Sequence, residues 1–322
     1  MDKIQRMVCV LVLLTLALLQ PGCITVNLLE PPGPVREVQL SGTGDNKVLL
    51  LDLSGVISSQ EKDGLLPQPN LLATFKEELT KASKDEKVKA VVLRINSPGG
   101  TVNASDILYH ELKAFKENRK IPVIASMMDI AASGGYYLAM ATDAILVHPS
   151  TVTGSIGVIM LTVNAKGLLE KVGVEATAIT SGPRKDMGSP FRTMTPDEKE
   201  IFQSVIDSFY QRFLTIVQAG RPRLSAEQIK KLADGRIYSG EQAKAAGLVD
   251  DIGYLDEAIE LAKKNAGLTE ARVVTYRRHG EYQNNIYSRV FGAGNGLSSL
   301  ASMDLLSIVR GGSPQFMYLW MP

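Results

Sequence analysis

The chain has 322 residues, 45% hydrophobic and 21% charged, enough ordinary globular material for one large domain or two small ones. With 35 Lys and Arg against 34 Asp and Glu there is no global positive field, and no long basic run supplies a local one, so nucleic acid is not an expected partner. The two cysteines, Cys9 and Cys23, both lie near the N-terminus, which leaves nothing downstream for a disulfide or a thiolate metal site.

Lys3 and Arg6 precede an apolar run, residues 7–19, that is too short to cross about 30 Å of hydrocarbon comfortably and reads as a signal h-region. Gln20-Pro21-Gly22-Cys23 follows, and a cysteine after a small residue at this place resembles the bacterial lipobox, whose cysteine is lipidated. Gln20 stands where that motif usually has Leu, and Pro21 where it usually has a small residue. Lipidation at Cys23, an uncleaved anchor and ordinary cleavage therefore stay open, and each sends the body of the chain across a membrane. A buried core helix is the plainer alternative. Residues 1–23 are thus a signal, lipobox or anchor segment, and residues 24–46, rich in Pro and Gly, suit a linker.

The folded body is expected over residues 47–270. Residues 47–53 form an apolar run that reads as a buried strand, residues 71–83 show helical spacing, and residues 88–95 form a second buried run ending in Asn96-Ser97-Pro98-Gly99-Gly100. A helical pattern returns over 104–117, and strand, glycine turn and helix together are a βαβ signature. The alternation predicts a strand over 122–127, a helix over 131–141, a strand over 143–147 and a turn at Thr153-Gly154-Ser155-Ile156-Gly157 leading into 158–161. The sheet is expected to be mostly parallel. Thr195-Pro196-Asp197-Glu198 reads as a capped helix start, giving the longest helix over 197–219, followed by shorter helices over 224–232, 240–246 and 255–265 and a strand over 273–277. Residues 271–322 hold that strand and an apolar tail, Phe316-Met317-Tyr318-Leu319-Trp320-Met321, which either packs on a neighbour or mimics a peptide substrate.

Two segments carry the chemistry. Ser133 lies among small residues in Ala131-Ala132-Ser133-Gly134-Gly135-Tyr136-Tyr137, and about fifty residues on comes Lys185, within Ser181-Gly182-Pro183-Arg184-Lys185-Asp186. A serine hydroxyl needs a base, and the three histidines, His110, His148 and His279, are far from both segments and read as ordinary helix, strand-end and surface residues. A lysine is then the base to consider, and it accepts a proton only where burial strips its own. Gly99-Gly100 and Gly134 expose backbone N–H groups that suit an oxyanion hole. Taken singly, each signal has a plainer reading: Pro98-Gly99-Gly100 as a turn, Ser133 as a small helix-start residue, Lys185 as a surface lysine paired with Asp186.

The blocks Ile95-Asn96-Ser97-Pro98-Gly99-Gly100, Ala132-Ser133-Gly134-Gly135-Tyr136-Tyr137, Thr153-Gly154-Ser155-Ile156-Gly157 and Gly182-Pro183-Arg184-Lys185-Asp186 fall in the order seen in bacterial signal peptide peptidase A, which the chain resembles. A further block, residues 235–243 with Gly247-Leu248-Val249-Asp250, is similar to that family's C-terminal signature, so the likeness runs from about residue 47 to 265. The resemblance implies a short, single-domain S49 serine peptidase with a ClpP/crotonase-like α/β fold of repeated ββα units. Ser133 would be the nucleophile, Lys185 the general base, and Gly100 and Gly134 the oxyanion donors, with no metal or cofactor. It also implies a ring-like homo-oligomer in which serine and lysine come from adjacent subunits. Arg184 departs from the family, standing where an aromatic residue is common.

The implied substrates are remnant signal peptides and other apolar peptides, and the implied place is the bacterial cell membrane with the catalytic domain on its extracytoplasmic side. Two other readings stand beside this one. A crotonase-like acyl-CoA enzyme shares the glycine turn but needs neither a Ser-Lys pair nor an export segment, and a membrane-tethered assembly protein would keep the fold without catalysis.

Overall fold

The computed structural model describes residues 33–60, 70–278, 285–286 and 315–321, so the N-terminal segment with Cys9 and Cys23 and the residue His279 lie outside it. The first elements are β1 (Arg36–Ser41), β2 (Lys47–Ser54), α1 (Leu71–Lys84), β3 (Val88–Ser97), β4 (Gly99–Thr101) and α2 (Val102–Arg119). Then come β5 (Val123–Ala132), α3 (Gly134–Ala139), β6 (Ala144–Val147), β7 (Val152–Gly154), β8 (Ile159–Leu161), α4 (Lys166–Lys171) and α5 (Pro196–Gly220). The chain closes with α6 (Ala226–Leu232), β9 (Ile237–Ser239), α7 (Gly240–Ala245), β10 (Asp251–Ile252), α8 (Leu255–Asn265), β11 (Arg272–Arg277) and β12 (Gln315–Leu319).

Among the described residues one large sheet runs in the order β1-β11-β2-β3-β5-β6-β10, with β7 on β5 and β9 on β7. The pairs from β11 through β10 are all parallel, and β1 closes one edge antiparallel to β11. The near-continuous apolar runs of β2 and β3 explain this arrangement, since a parallel sheet covered by helices on both faces needs apolar side chains on both. Alternation along β2 divides them. Leu49, Leu51 and Leu53 face the core shared with Phe75 of α1, Leu108 and Leu112 of α2, and Phe213 of α5. Val48 and Leu50 face the other, shared with Leu255, Ala258, Ile259 and Ala262 of α8. Burying one Leu or Phe is worth about 1.5–3 kcal/mol, so these two layers dominate the stability.

Side-chain caps fix where helices begin. The Asn70 side chain accepts from the Ala73 N–H at 2.9 Å at the start of α1, and Thr195 and Glu198 form a capping box at α5, with Pro196 in its first turn. Inside the sheet Asp52 of β2 accepts from Arg94 of β3 at 2.5 Å and also from Arg277 of β11, all three side chains being buried.

Three features differ from the sequence reading. The helix expected from residue 131 starts at Gly134, because Ala131 and Ala132 continue β5 and pair with Thr153 and Gly154 of β7. The spacer contains β1, whose residues find the free edge of β11. The Gly99-Gly100 turn is itself a strand, and β4, β12 and β8 form a small second sheet in which β12 is antiparallel to both neighbours. Among the described residues no helix is long and apolar enough to cross a membrane.

Candidate active site

Ser133 sits at the joint between β5 and α3. Its backbone has φ 51° and ψ −112°, a conformation that costs an L-residue about 1–3 kcal/mol and persists only where its surroundings hold it. The Ser133 N–H donates to the Gly154 carbonyl at 2.8 Å, and the Ser133 carbonyl accepts from the Tyr137 N–H at 2.8 Å. Gly154 is itself held by β9, since Gly154 pairs with Ile237 and Thr153 with Tyr238. A strained serine on a sharp strand-to-helix turn is how a hydroxyl is presented at the end of an α/β sheet. The Ser133 side chain is buried, and its Oγ has no hydrogen-bond partner among the described residues.

Glycines make the approach to this serine possible. A Cβ on Gly134 would lie 2.4 Å from the Ser105 Oγ and 3.2 Å from the Gly100 nitrogen, so the two candidate oxyanion amides belong to one crowded patch. Gly100 is pressed just as closely, because a Cβ there would lie 1.9 Å from the Ile57 carbonyl oxygen. Ile57 pins the strand around it: its N–H donates to Gly99 at 2.8 Å, and its carbonyl accepts from the Thr101 N–H at 2.9 Å. Ser97 adds a second hold, its hydroxyl donating to the Gly55 carbonyl at 2.7 Å while accepting from the Gly99 N–H at 3.1 Å. Pre-set amides of this kind stabilise negative charge developing on a carbonyl oxygen.

Lys185 lies elsewhere. It is exposed, in the segment 181–190 that precedes α5, and within one chain it does not reach the Ser133 hydroxyl. Its neighbour Asp186 does not pair with it. The Arg192 guanidinium takes both Asp186 oxygens, at 2.7 and 2.8 Å, and also bonds Glu198 at the head of α5. These hydrogen bonds hold the Asp186 carboxyl below its usual range, and those from Arg192 and the Thr195 N–H hold Glu198 down at about 2. The segment carrying the lysine is thereby tied to the N-terminus of α5.

The other sequence candidates have structural roles. His148 packs its ring 5.1 Å from Tyr254, and burial depresses its proton affinity. His110, on α2, borders an open hollow of 540 Å³ shared with Asp106 and Arg212, whose lining does not include Ser133. What the sequence reading did not find is the work of Gly154, Ser97, Ser105 and Arg192. The Thr153-to-Gly157 block was visible as a turn, but nothing local says that its Gly154 carbonyl holds the Ser133 amide.

A buried, strained serine at a strand-to-helix turn, with glycine amides beside it on a mostly parallel sheet, defines a serine hydrolase of the ClpP/crotonase-like fold. The model of peptidase family S49 matches residues 115–269, and that of Clp protease matches residues 70–152. A protein of Enterococcus faecium named as a signal peptide peptidase SppA is 39% identical over 243 residues, 75% of this chain and 70% of that one. Protease 4 of Salmonella typhi is 39% identical over 204 residues, 63% of this chain and 32% of that one. The chloroplastic serine protease SPPA of Arabidopsis thaliana is 35% identical over 234 residues, 72% of this chain and 34% of that one. The chain belongs to peptidase family S49 and is a serine-type peptidase, which sets aside the acyl-CoA reading.

Proposed function

We propose that the protein is a membrane-associated endopeptidase that degrades remnant signal peptides and other apolar peptides through a Ser133–Lys185 dyad shared between neighbouring subunits. The observation that carries this is the Ser133 Oγ, buried and strained beside the Gly100 and Gly134 amides, with no hydrogen-bond partner among the described residues. Lys185 of a second copy would supply that base. Its segment favours such a contact, because Leu168, Val172, Val174, Ile179 and Phe191 around it expose apolar surface that a subunit interface would bury. A lysine closed into such an interface loses solvation and with it the proton that blocks its action as base.

In the reaction the Ser133 Oγ attacks the substrate carbonyl while Lys185 takes the hydroxyl proton. The Gly100 and Gly134 N–H groups receive the oxyanion, and the proton then passes to the leaving amine. Water hydrolyses the acyl-enzyme by the same steps in reverse. The N-terminal segment, through Cys23 lipidation or an anchor, would hold the peptidase domain of residues 47–270 on the extracytoplasmic side of a bacterial membrane, where spent signal peptides collect.

Ser133→Ala and Lys185→Ala are each expected to lower hydrolysis of an apolar peptide by about 10⁴-fold or more at unchanged circular dichroism. Mixing the two inactive variants is the deciding measurement. Recovered activity supports a site built from two chains, persistent inactivity in mixed oligomers counts against it, and near-normal activity of either variant alone removes the dyad.

A further inference from the structure

Ser133 heads a helix that cannot hold itself. α3 has six residues, Gly134–Ala139, and no side chain caps its first turn, whereas an isolated helix needs about 12 residues or more to persist in water. Its direction is therefore set from outside, through the two tyrosines that follow its glycines. The Tyr136 hydroxyl donates to the Leu248 carbonyl at 2.7 Å. The Tyr137 hydroxyl donates instead to the Asp106 carboxylate on α2. Tyr137 also grips the Ser133 backbone, because its N–H donates to the Ser133 carbonyl at 2.8 Å. One residue thus joins the strained serine to a charged group on another helix.

Asp106 is itself held. The Arg212 guanidinium of α5 donates to the same oxygen, Oδ1, through Nε at 3.2 Å and Nη2 at 3.0 Å. Both side chains of this ion pair are partly open to water, and such a pair contributes little stability by itself. What it adds is direction, since a carboxylate oxygen fixed by a guanidinium gives the phenol a strong acceptor in one place. The Tyr137 ring is fully buried, edge-on to Tyr109 at 5.4 Å and to Phe213 at 5.0 Å. Packing confines the ring, and the charged partner fixes its tip. Asp106 and Arg212 also border the open hollow of 540 Å³, so a contact reachable from solvent is linked to a serine that is not.

We propose that Asp106, held by Arg212, is a positioning residue: with the Tyr137 hydroxyl it forms a strut from α2 to α3 that keeps the Ser133 turn in the geometry hydrolysis needs. The inference rests on the peptidase reading and deepens it, since the strut acts on the reaction through Ser133. A misplacement of about 1 Å at a reacting atom costs about a hundredfold in rate, so loosening the strut lowers turnover far more than it lowers peptide affinity.

Hydrolysis of an apolar peptide by full-chain variants tests the strut. Tyr137→Phe removes one hydroxyl and keeps the ring, and Asp106→Ala removes its partner; each should lower kcat about tenfold to a hundredfold with KM changed by less than about twofold. The double variant should lose no more than the worse single one, because both break one contact. Asp106→Asn, which keeps an oxygen for the phenol, should stay within about fivefold of the parent. Lys116→Ala breaks another ion pair of α2, that with Asp143, and should leave kcat unchanged. Hydrogen exchange at the Tyr137 amide reads the Ser133 turn without any turnover, and should quicken about tenfold in Tyr137→Phe and Asp106→Ala but not in Lys116→Ala. A kcat for Tyr137→Phe and Asp106→Ala within about threefold of the parent, unchanged exchange, or losses that multiply in the double variant each overturn the inference and leave the peptidase function standing. Exchange that quickens as expected in variants of a parent that hydrolyses no peptide supports the strut and counts against the peptidase reading alone.

Discussion

At Ser133 the backbone departs from what an L-residue prefers, and the departure is held in place by one carbonyl, that of Gly154, and by glycines wherever a neighbour approaches. Gly99 is the most constrained of these, with φ 102° and a would-be Cβ 2.0 Å from the Tyr318 oxygen. Gly99→Ala is therefore expected to lower peptide hydrolysis about a hundredfold or more, since it shifts the strand that presents the Gly100 amide. Gly267→Ala is the matching control: its φ of 68° is also positive, but nothing lies within 4 Å of its Cβ. It should cost about 1–2 kcal/mol in urea denaturation and leave kcat/KM alone. Comparable losses of activity in both variants would show that general strain, and not the geometry around Gly100, is what matters.

Among the elements, the junction between the Lys185 segment and α5 depends on one side chain, Arg192, which joins Asp186 to the capping box of Thr195 and Glu198. Both carboxyls bind protons less readily in the fold than in the unfolded chain, Glu198 at about 2 against an ordinary 4.5. The sign follows directly. Their contribution is whole above the ordinary carboxylate range and is lost as pH falls through the lower folded value, between about pH 4.5 and 2. Hydrogen exchange in residues 182–192 should show protection disappearing over that window, and Arg192→Gln should remove the pH step. The same variant is expected to lower kcat about tenfold to a hundredfold by releasing Lys185's segment, and normal kcat with a lost pH step would separate anchoring from catalysis. Much at this scale was legible beforehand. The Thr195 cap and the buried runs of β2 and β3 are local patterns, whereas β1, β4, β9 and β12 are short strands defined by the edges they find, and the partner of Asp186 depends on a fold-back that no local pattern encodes.

For the whole molecule, the sheet is tied across three strands by Asp52, which bonds Arg94 of β3 and Arg277 of β11 in the interior. Asp52→Ala withdraws the carboxylate from two buried guanidiniums and is expected to cost about 3–5 kcal/mol, read as a lower urea midpoint at unchanged slope. A change under about 1 kcal/mol would mean that water compensates the arginines. The α/β class and the parallel sheet were readable from alternating apolar runs. The candidate site was readable only in part, because Ser133 and the glycines are local motifs while the place of Lys185 depends on contacts beyond its own segment. The support of Ser133 by β7, and of β7 by β9, also bears on folding. The Ser155 N–H donates to the Arg236 carbonyl at 2.8 Å, so the serine is braced by a segment about a hundred residues downstream. Secondary structure forms early from local contacts, but the turn at Ser133 takes its shape only after this distant loop closes. A refolding chain should therefore recover its helical signal in one phase and its catalytic competence in a later one, and a nascent chain stopped before residue 236 would carry an unarmed serine.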